Sequence, residues 1–161
     1  MPTQLHQTFD LPFSSERAVS LMTDPEFLAE LMVASGSLRP VITVTHDASS
    51  TTVSIQREFE GQWPSLVAPL IGETLSVSEE RTWHAASPTG EISGTLDMYV
   101  KGQPVSMHGA IRVSPTQTGC TARIAGEIHA KVPFIGGMVE KLVLEQISAG
   151  IEIEAELLAN A

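Results

Sequence analysis

The stretch GMVEKLVLEQISAGIEIEAELLAN, residues 137–160, decides which fold this chain can adopt. It contains no proline, and its apolar residues recur at helical spacing, so it predicts a single helix about 36 Å long. At 100° per residue the apolar arc of this helix is formed by Ile135, Val139, Leu142, Val143, Ile153 and Leu157. The opposite side carries Lys141, Glu145, Glu152 and Glu156. A helix this long with one apolar side needs a sheet to cover it.

The residues before this helix provide such a sheet. From residue 37 onward the apolar residues alternate with polar ones, which is the period of a strand with one buried face. Strands are predicted near residues 38–47, 51–60, 73–84, 91–101, 104–114 and 119–132. Short turns rich in Gly, Pro and Ser connect them, which favours antiparallel pairing because parallel strands need longer crossovers.

The N-terminal part predicts one more strand and two short helices. Residues 5–11 alternate in the same way and form the first strand. Ser14 or Ser15 can cap the first helix, and Asp24 followed by Pro25 can start the second, which ends near Gly36. The chain therefore predicts an α+β fold with a curved antiparallel sheet of seven strands wrapped around the long C-terminal helix.

This element order resembles the helix-grip fold of the START-like superfamily, which is also called SRPBCC or polyketide-cyclase-like. The segments PLIGETLSVSEERTW, residues 69–83, and GEIHAKVPFIGGMVE, residues 126–140, are similar to a bacterial branch known mainly as a domain of unknown function. The resemblance implies a deep, mostly apolar cavity between the sheet and the long helix. Relatives use such a cavity for lipids, sterols, polyketides or plant hormones.

Composition narrows the class of protein. The 161 residues suit one domain over residues 1–161, and a formal net charge of −10 opposes binding to nucleic acid. A lone Cys120 and five scattered histidines predict neither a disulfide nor a zinc site, which favours a reduced cytoplasm. No stretch reaches the roughly 18 to 20 apolar residues of a membrane span. We expect no cofactor and no metal, and the sequence does not identify a protein partner.

Strand alternation places the cavity-lining residues on the faces turned toward the helix. Methionines among them suit an adaptable pocket. The expected ligand-binding residues are Val53, Ile55, Arg57, Phe59, Val77, Glu79, Arg81, Met98, Met107, Ile124, Leu142, Gln146 and Gly150.

Three of these residues are charged and stand in apolar rows. Because a buried ion needs a partner, Arg57, Glu79 and Arg81 must pair with one another, reach solvent at the cavity mouth or meet a polar ligand group. If Glu79 pairs with one arginine, the other could hold a carboxylate or phosphate group of a ligand.

Gln146 and Gly150 interrupt the apolar arc of the C-terminal helix. Glycine inside a helix costs about 1 kcal/mol relative to alanine, so the gap requires a reason. Either the sheet backbone approaches the helix closely here, or the helix borders a hollow in which Gln146 can bind a ligand.

Residues 61–72 form a loop too apolar to lie free in water, and Trp63, Leu66 and Leu70 make it a candidate lid. The alternative is a short helix packed over the sheet edge, since two prolines stiffen the segment.

No P-loop, dinucleotide-binding or nucleophile-elbow motif is present, and no catalytic residue is assigned. The leading hypothesis is a non-enzymatic carrier or sensor of a small hydrophobic or amphipathic ligand, lipid-like, polyketide-like or aromatic. The alternative is a cyclase or aromatase-like enzyme in which Glu79 with an arginine assists proton transfer. A third hypothesis is a module that binds a protein partner through residues 63–71.

Overall fold

The computed structural model describes residues 2–61 and 63–161, and it gives the bounds of every predicted element. The elements in chain order are β1 (Thr3–Leu11), α1 (Ser15–Met22), α2 (Pro25–Ala34), β2 (Leu38–His46), β3 (Ser50–Glu60), α3 (Ala68–Ile71), β4 (Thr74–His84), β5 (Ile92–Val100), β6 (Val105–Pro115), β7 (Cys120–Ala130) and α4 (Gly136–Ala159).

The seven strands form one antiparallel sheet in the order β1-β7-β6-β5-β4-β3-β2. Strands β2 to β7 follow one another as neighbours, and β1 pairs with β7 at one edge. Helices α1 and α2 carry the chain from β1 at that edge to β2 at the other. The predicted α+β fold, with two short helices after the first strand and a long C-terminal helix, is confirmed.

Side-chain caps fix where the two short helices begin. The Ser14 hydroxyl accepts a hydrogen bond from the Arg17 N–H at 3.2 Å, so Ser14 rather than Ser15 caps α1. The Asp24 carboxylate accepts one from the Glu26 N–H at 3.0 Å, with Pro25 as the first residue of α2.

Two glycines lie where the backbones of β6 and β7 leave no room for a side chain. Gly109 and Gly126 lie directly opposite each other on β6 and β7. A Cβ at Gly109 would stand 2.5 Å from the Ala125 carbonyl oxygen, and one at Gly126 would stand 2.7 Å from that of His108. Only hydrogen fits at these positions, so the neighbouring backbones can approach and the sheet can curl toward α4.

The position of α4 explains why a space remains inside the sheet. Its backbone lies against β1, β7 and α2, but stands off from the middle strands β3 to β5. Most of the interior is filled by a buried apolar cluster that includes Trp83, Leu5, Met32 and Ile128. Between α4 and the middle strands the backbones are far apart, so the size of the side chains there determines how much space stays empty.

Among the helices of the described residues, none combines the length and the apolar character required to cross a bilayer.

A candidate ligand cavity between the sheet and the C-terminal helix

A cavity of about 190 Å³ lies between α4 and strands β3 to β6. Its walls are mostly apolar. The apolar side chains that line it include Phe59, Leu75, Val77, Leu96, Met98, Val100, Met107, Val139, Leu142, Val143, Ile147 and Ile153. The polar side chains on its wall include Ser35, Arg57, Glu79, Arg81, Tyr99, Gln103, Ser106, Gln146 and Glu154.

Most of the residues expected to bind ligand meet at this cavity. The structure places on its wall Arg57, Phe59, Val77, Glu79, Arg81, Met98, Met107, Leu142, Gln146 and Gly150, together with Trp63 and Leu70 of the candidate lid. Strand alternation predicted the members of this set that lie on β3 to β6, and helical spacing predicted those on α4. That they bind a ligand stays a prediction.

Three residues expected on the wall lie elsewhere. Val53, Ile55 and Ile124 are each at most 2% exposed and belong to the filled apolar core. Val53 and Ile55 lie along β3 toward the end where Trp83 occupies the interior, because Thr51 pairs with Trp83 and Val53 with Arg81. Ile124 is on β7, against which α4 packs directly.

Leu66 of the candidate lid also lies off the cavity wall. Its side chain is 58% exposed to solvent. Trp63, Val67 and Leu70 of the same segment line the cavity, whereas Leu66 lies on the outside.

The charged residues of the cavity form one chain of four groups. The Arg81 guanidinium donates two hydrogen bonds to Glu154 of α4, both 2.9 Å long. Glu79 lies between the two arginines, with one carboxylate oxygen 3.6 Å from Arg81 Nε and the other 3.5 Å from Arg57 Nη2. Two positive and two negative charges therefore balance within the interior.

Arg57 ends this chain of charges at its more exposed side. Its guanidinium stacks over the Phe59 ring at 5.3 Å from the centroid and contacts the Met32 sulfur at 3.4 Å. The Arg57 side chain is 14% exposed, against 8% for Arg81. Its position between an aromatic ring and a thioether holds the guanidinium toward Glu79.

Glu154 was not recognised from the sequence, and it changes the interpretation of Arg81. The expectation that one arginine stays free for an anionic ligand group is wrong for Arg81, because Glu154 occupies both of its terminal nitrogens. The signal was present in the helix: Glu154 lies between Ile151 and Leu158 at helical spacing, so a carboxylate falls within the buried stripe.

The electrostatics keep Arg81 charged in spite of its burial. Burial alone would lower the pKa of Arg81, but the carboxylates of Glu154 and Glu79 and the hydrogen bonds to Glu154 outweigh it and raise that pKa. The guanidinium is thus a permanent cation that needs both carboxylates nearby.

Glu79 is the carboxylate of the cluster whose hydrogen bonding is incomplete, and the Nε atoms of Arg57 and Arg81 beside it also have no hydrogen-bond partner among the described residues. Its residue is only 7% exposed, and it lines the cavity. Both of its ion-pair distances exceed ordinary hydrogen-bond lengths, and within residues 2–61 and 63–161 its carboxylate accepts no hydrogen bond. A buried acceptor of this kind is expected to find a partner.

Gly150 borders the hollow and does not approach the sheet closely. A Cβ built on Gly150 meets no atom within 4 Å among its described surroundings, and the residue lines the cavity. Close approach of the sheet backbone is therefore wrong as the reason for this glycine. Gln146, one turn earlier, also lies on the cavity wall.

The lid segment is anchored by one buried residue. Val67 is fully buried and packs with Val105 and Val139. A single turn of helix, α3, follows it, so the predicted short helix is present in part. The Gln103 side-chain amide donates to the Leu70 carbonyl and ties the segment to the β5–β6 turn. Gln62, within the predicted lid, lies outside the described residues.

The architecture defines a START-like, or SRPBCC, domain, and comparison with known proteins agrees. The chain belongs to the family described as "Protein of unknown function (DUF2505)", whose model matches residues 6–160. The predicted resemblance to this superfamily, and to a branch of unknown function, is confirmed.

The mycobacterial relatives that match this chain are described as uncharacterized proteins. An uncharacterized protein of Mycobacterium tuberculosis is 30% identical over 113 residues, which is 67% of this chain and 63% of that protein. The match thus spans less than two thirds of the relative's length.

Solved structures share the fold at low sequence identity. Human STARD10 superposes with a TM-score of 0.63 at 10% identity, over 96% of this chain and 62% of that chain. Norcoclaurine synthase from Thalictrum flavum, in complex with dopamine and hydroxybenzaldehyde, superposes with a TM-score of 0.58 at 15% identity, over 99% of this chain and 88% of that chain. At these identities the likeness concerns the fold alone.

Proposed function

We propose that this protein binds a small, mostly apolar organic molecule in the cavity between α4 and the sheet, and acts as a non-enzymatic carrier or sensor of it. The observation that carries the proposal is the cavity of about 190 Å³ with its largely apolar wall. Native interiors are close-packed, so an unfilled space of this size beside a helix glycine is unusual unless something occupies it.

The volume sets the size of the ligand. An engineered apolar cavity of about 150 Å³ holds one benzene molecule, whereas drug-sized sites measure about 300–1,000 Å³. A space of about 190 Å³ therefore suits roughly eight to ten non-hydrogen atoms. This is one ring with a short substituent, and a long lipid chain would need the lid segment to move aside. Dopamine and hydroxybenzaldehyde, found in the complex of norcoclaurine synthase, are of similar size.

The lid segment supports reversible binding. Trp63, Val67 and Leu70 cover the cavity, and Val67 is the only one of the three that is fully buried. A cover held by few contacts can open at low cost, which suits a carrier or sensor.

The test begins with the protein purified from its native cells. Solvent extraction followed by mass spectrometry should recover a stoichiometric small molecule. Calorimetric titration of the emptied protein with single-ring probes should then show saturable binding. Gly150→Leu, which fills the cavity, should abolish it, and Gly150→Ala should retain it. Absence of both an extracted molecule and probe binding would contradict the proposal.

A cyclase-like activity on an aromatic or polyketide substrate is the second candidate. The observation that favours it is the Glu79 carboxylate on the cavity wall beside two guanidinium groups. If chemistry occurs, Glu79→Gln should lower kcat more than it raises the Kd of the substrate. Equal losses in rate and affinity would favour binding alone.

A further inference from the structure

We propose that Glu79 makes the cavity selective for ligands that carry an uncharged hydrogen-bond donor, a hydroxyl or N–H group, and that the cavity rejects ligands with an ionised group. This inference rests on the proposed function, because it names the class of ligand that the same cavity takes.

The charges around the site are already balanced without a ligand. Arg57 and Arg81 contribute two positive charges, and Glu79 and Glu154 two negative ones, all within one connected cluster. An anionic ligand would add a third buried negative charge, and an ammonium would add a third positive one. Either addition is opposed, because a buried ion without its own partner is strongly unfavourable.

An uncharged donor meets the one carboxylate of the cluster that accepts no hydrogen bond among the described residues. Glu154 already accepts a 2.9 Å hydrogen bond from Arg81 on each oxygen and is only 2% exposed, so it needs a ligand donor less than Glu79 does. Glu79 faces the cavity, and its ion-pair contacts at 3.5 and 3.6 Å are too long for good hydrogen bonds. A hydroxyl or N–H group can donate to Glu79 without changing the charge balance, and a bond to an ionised acceptor is stronger than one between neutral groups.

The remainder of the ligand must be apolar and short. Met98 lies opposite Glu79 on β5, and Val77 and Met107 continue the wall. With the volume available, the class is a single-ring phenol or N–H heterocycle, or a short-chain alcohol.

Three compounds of matched shape separate the alternatives: 4-ethylphenol, 4-ethyltoluene and 4-ethylbenzoate. In a purely apolar cavity 4-ethyltoluene binds more tightly than the phenol, because the phenol loses its hydrogen bonds to water. We expect the opposite order here, with 4-ethylphenol tighter by about tenfold and 4-ethylbenzoate the weakest, measured by isothermal titration calorimetry at pH 7.

Two variants address Glu79 independently. The double variant Arg57→Met with Glu79→Met keeps the charge balance, and should reverse the order so that 4-ethyltoluene binds more tightly than 4-ethylphenol. The single variant Glu79→Gln leaves one excess positive charge, and should strengthen binding of 4-ethylbenzoate by about tenfold or more. Gln146→Met, which removes an uncharged polar side chain of α4 from the cavity wall, tests whether Gln146 sets the preference instead, and the preference for the phenol should persist. The control is Glu80→Gln, at an exposed carboxylate next to Glu79 on β4, which should leave the order of the three compounds unchanged.

The outcomes distinguish this inference from the proposed function. Binding of 4-ethyltoluene equal to or tighter than that of 4-ethylphenol in the unmodified protein would overturn the inference and leave the cavity a binding site. Loss of the phenol preference in Gln146→Met would overturn it as well, by assigning the preference to Gln146. If none of the three compounds binds, the inference is overturned, and the proposed function is overturned with it only when no small molecule is extracted from the native protein either.

Discussion

Arg81 and Glu154 form a bidentate pair across the interior, with two parallel N–H···O contacts of 2.9 Å that join β4 to α4. The two residues are 73 positions apart in the chain, and Glu154 is only 2% exposed. The fork geometry fixes the guanidinium relative to the carboxylate, so the pair helps to position α4 over β4. The cavity lies beside this pair, and both side chains form part of its wall.

Breaking this pair on one side should destabilise the protein strongly. Glu154→Ala leaves Arg81 buried with only the longer contact to Glu79, and we expect a loss of about 3–5 kcal/mol in the free energy of unfolding. Urea unfolding followed by circular dichroism measures it. The exposed Glu156→Ala on the same helix is the control, with an effect within about 0.5 kcal/mol.

Removing both partners should cost much less than removing one. The double variant Arg81→Met with Glu154→Leu replaces the pair by apolar groups of similar size, which is often neutral or stabilising. A strongly favourable coupling energy in this double-mutant cycle is expected. Single losses that simply add in the double variant would show that the pair does not act as a unit.

Gly150 should tolerate a side chain, in contrast to the glycines of the sheet. Gly150→Ala adds a methyl group into open space and improves helix propensity, so we expect a gain of about 0.5–1 kcal/mol in the free energy of unfolding. Gly126→Ala is the matched contrast: its Cβ would stand 2.7 Å from a backbone oxygen, and it should destabilise. Destabilisation by Gly150→Ala would mean that the space beside α4 is filled.

The stabilisation that Glu140 provides should be lost in acid. Burial would raise the pKa of Glu140, but hydrogen bonds from the Ala130 N–H at 3.0 Å and the Thr3 hydroxyl at 2.8 Å outweigh it and lower that pKa from its ordinary 4.5. A carboxyl with a lowered pKa in the folded state stabilises above its unfolded pKa, and this stabilisation is lost as the pH falls through the folded value.

The measurement compares unfolding free energies of the unmodified protein and Glu140→Gln between pH 7 and 3. The advantage of the unmodified protein should be constant at neutral pH and shrink below about pH 4.5. Glu152→Gln, an exposed carboxyl of the same helix, gives the baseline for removing one negative charge from α4. An advantage that grows with acidity would contradict the assigned direction.

Val67 should control how long a ligand stays bound. It is the buried anchor of the lid segment against Val105 and Val139, and Val67→Ser exchanges this contact for a hydroxyl. We expect faster dissociation of 4-ethylphenol with little change in its association rate, measured by stopped-flow displacement. Leu66→Ser, on the solvent side of the segment, is the control and should leave dissociation unchanged. Equal rates for the two variants would exclude gating by this segment.

Much of the fold was predictable because its signals are local. The period-two rows of the strands and the 24-residue helix are visible within short windows, and each predicted element agrees with the structure to within a few residues. The same rows placed Glu79 and Arg81 on the inner face correctly. They could not place Val53 or Ile55, because residues on one face of a strand can meet either a filled core or a cavity.

The sequence by itself determined the order of the elements, the inward face of each strand and the presence of charges in apolar rows, because these follow from periodicity along the chain. Only the tertiary structure decided that Glu154 neutralises Arg81, that Gly150 faces open space and that Glu79 accepts no hydrogen bond from the part of the chain that the structure describes. Those facts depend on where α4 settles over strands far away in sequence, and that position results from packing of the whole interior.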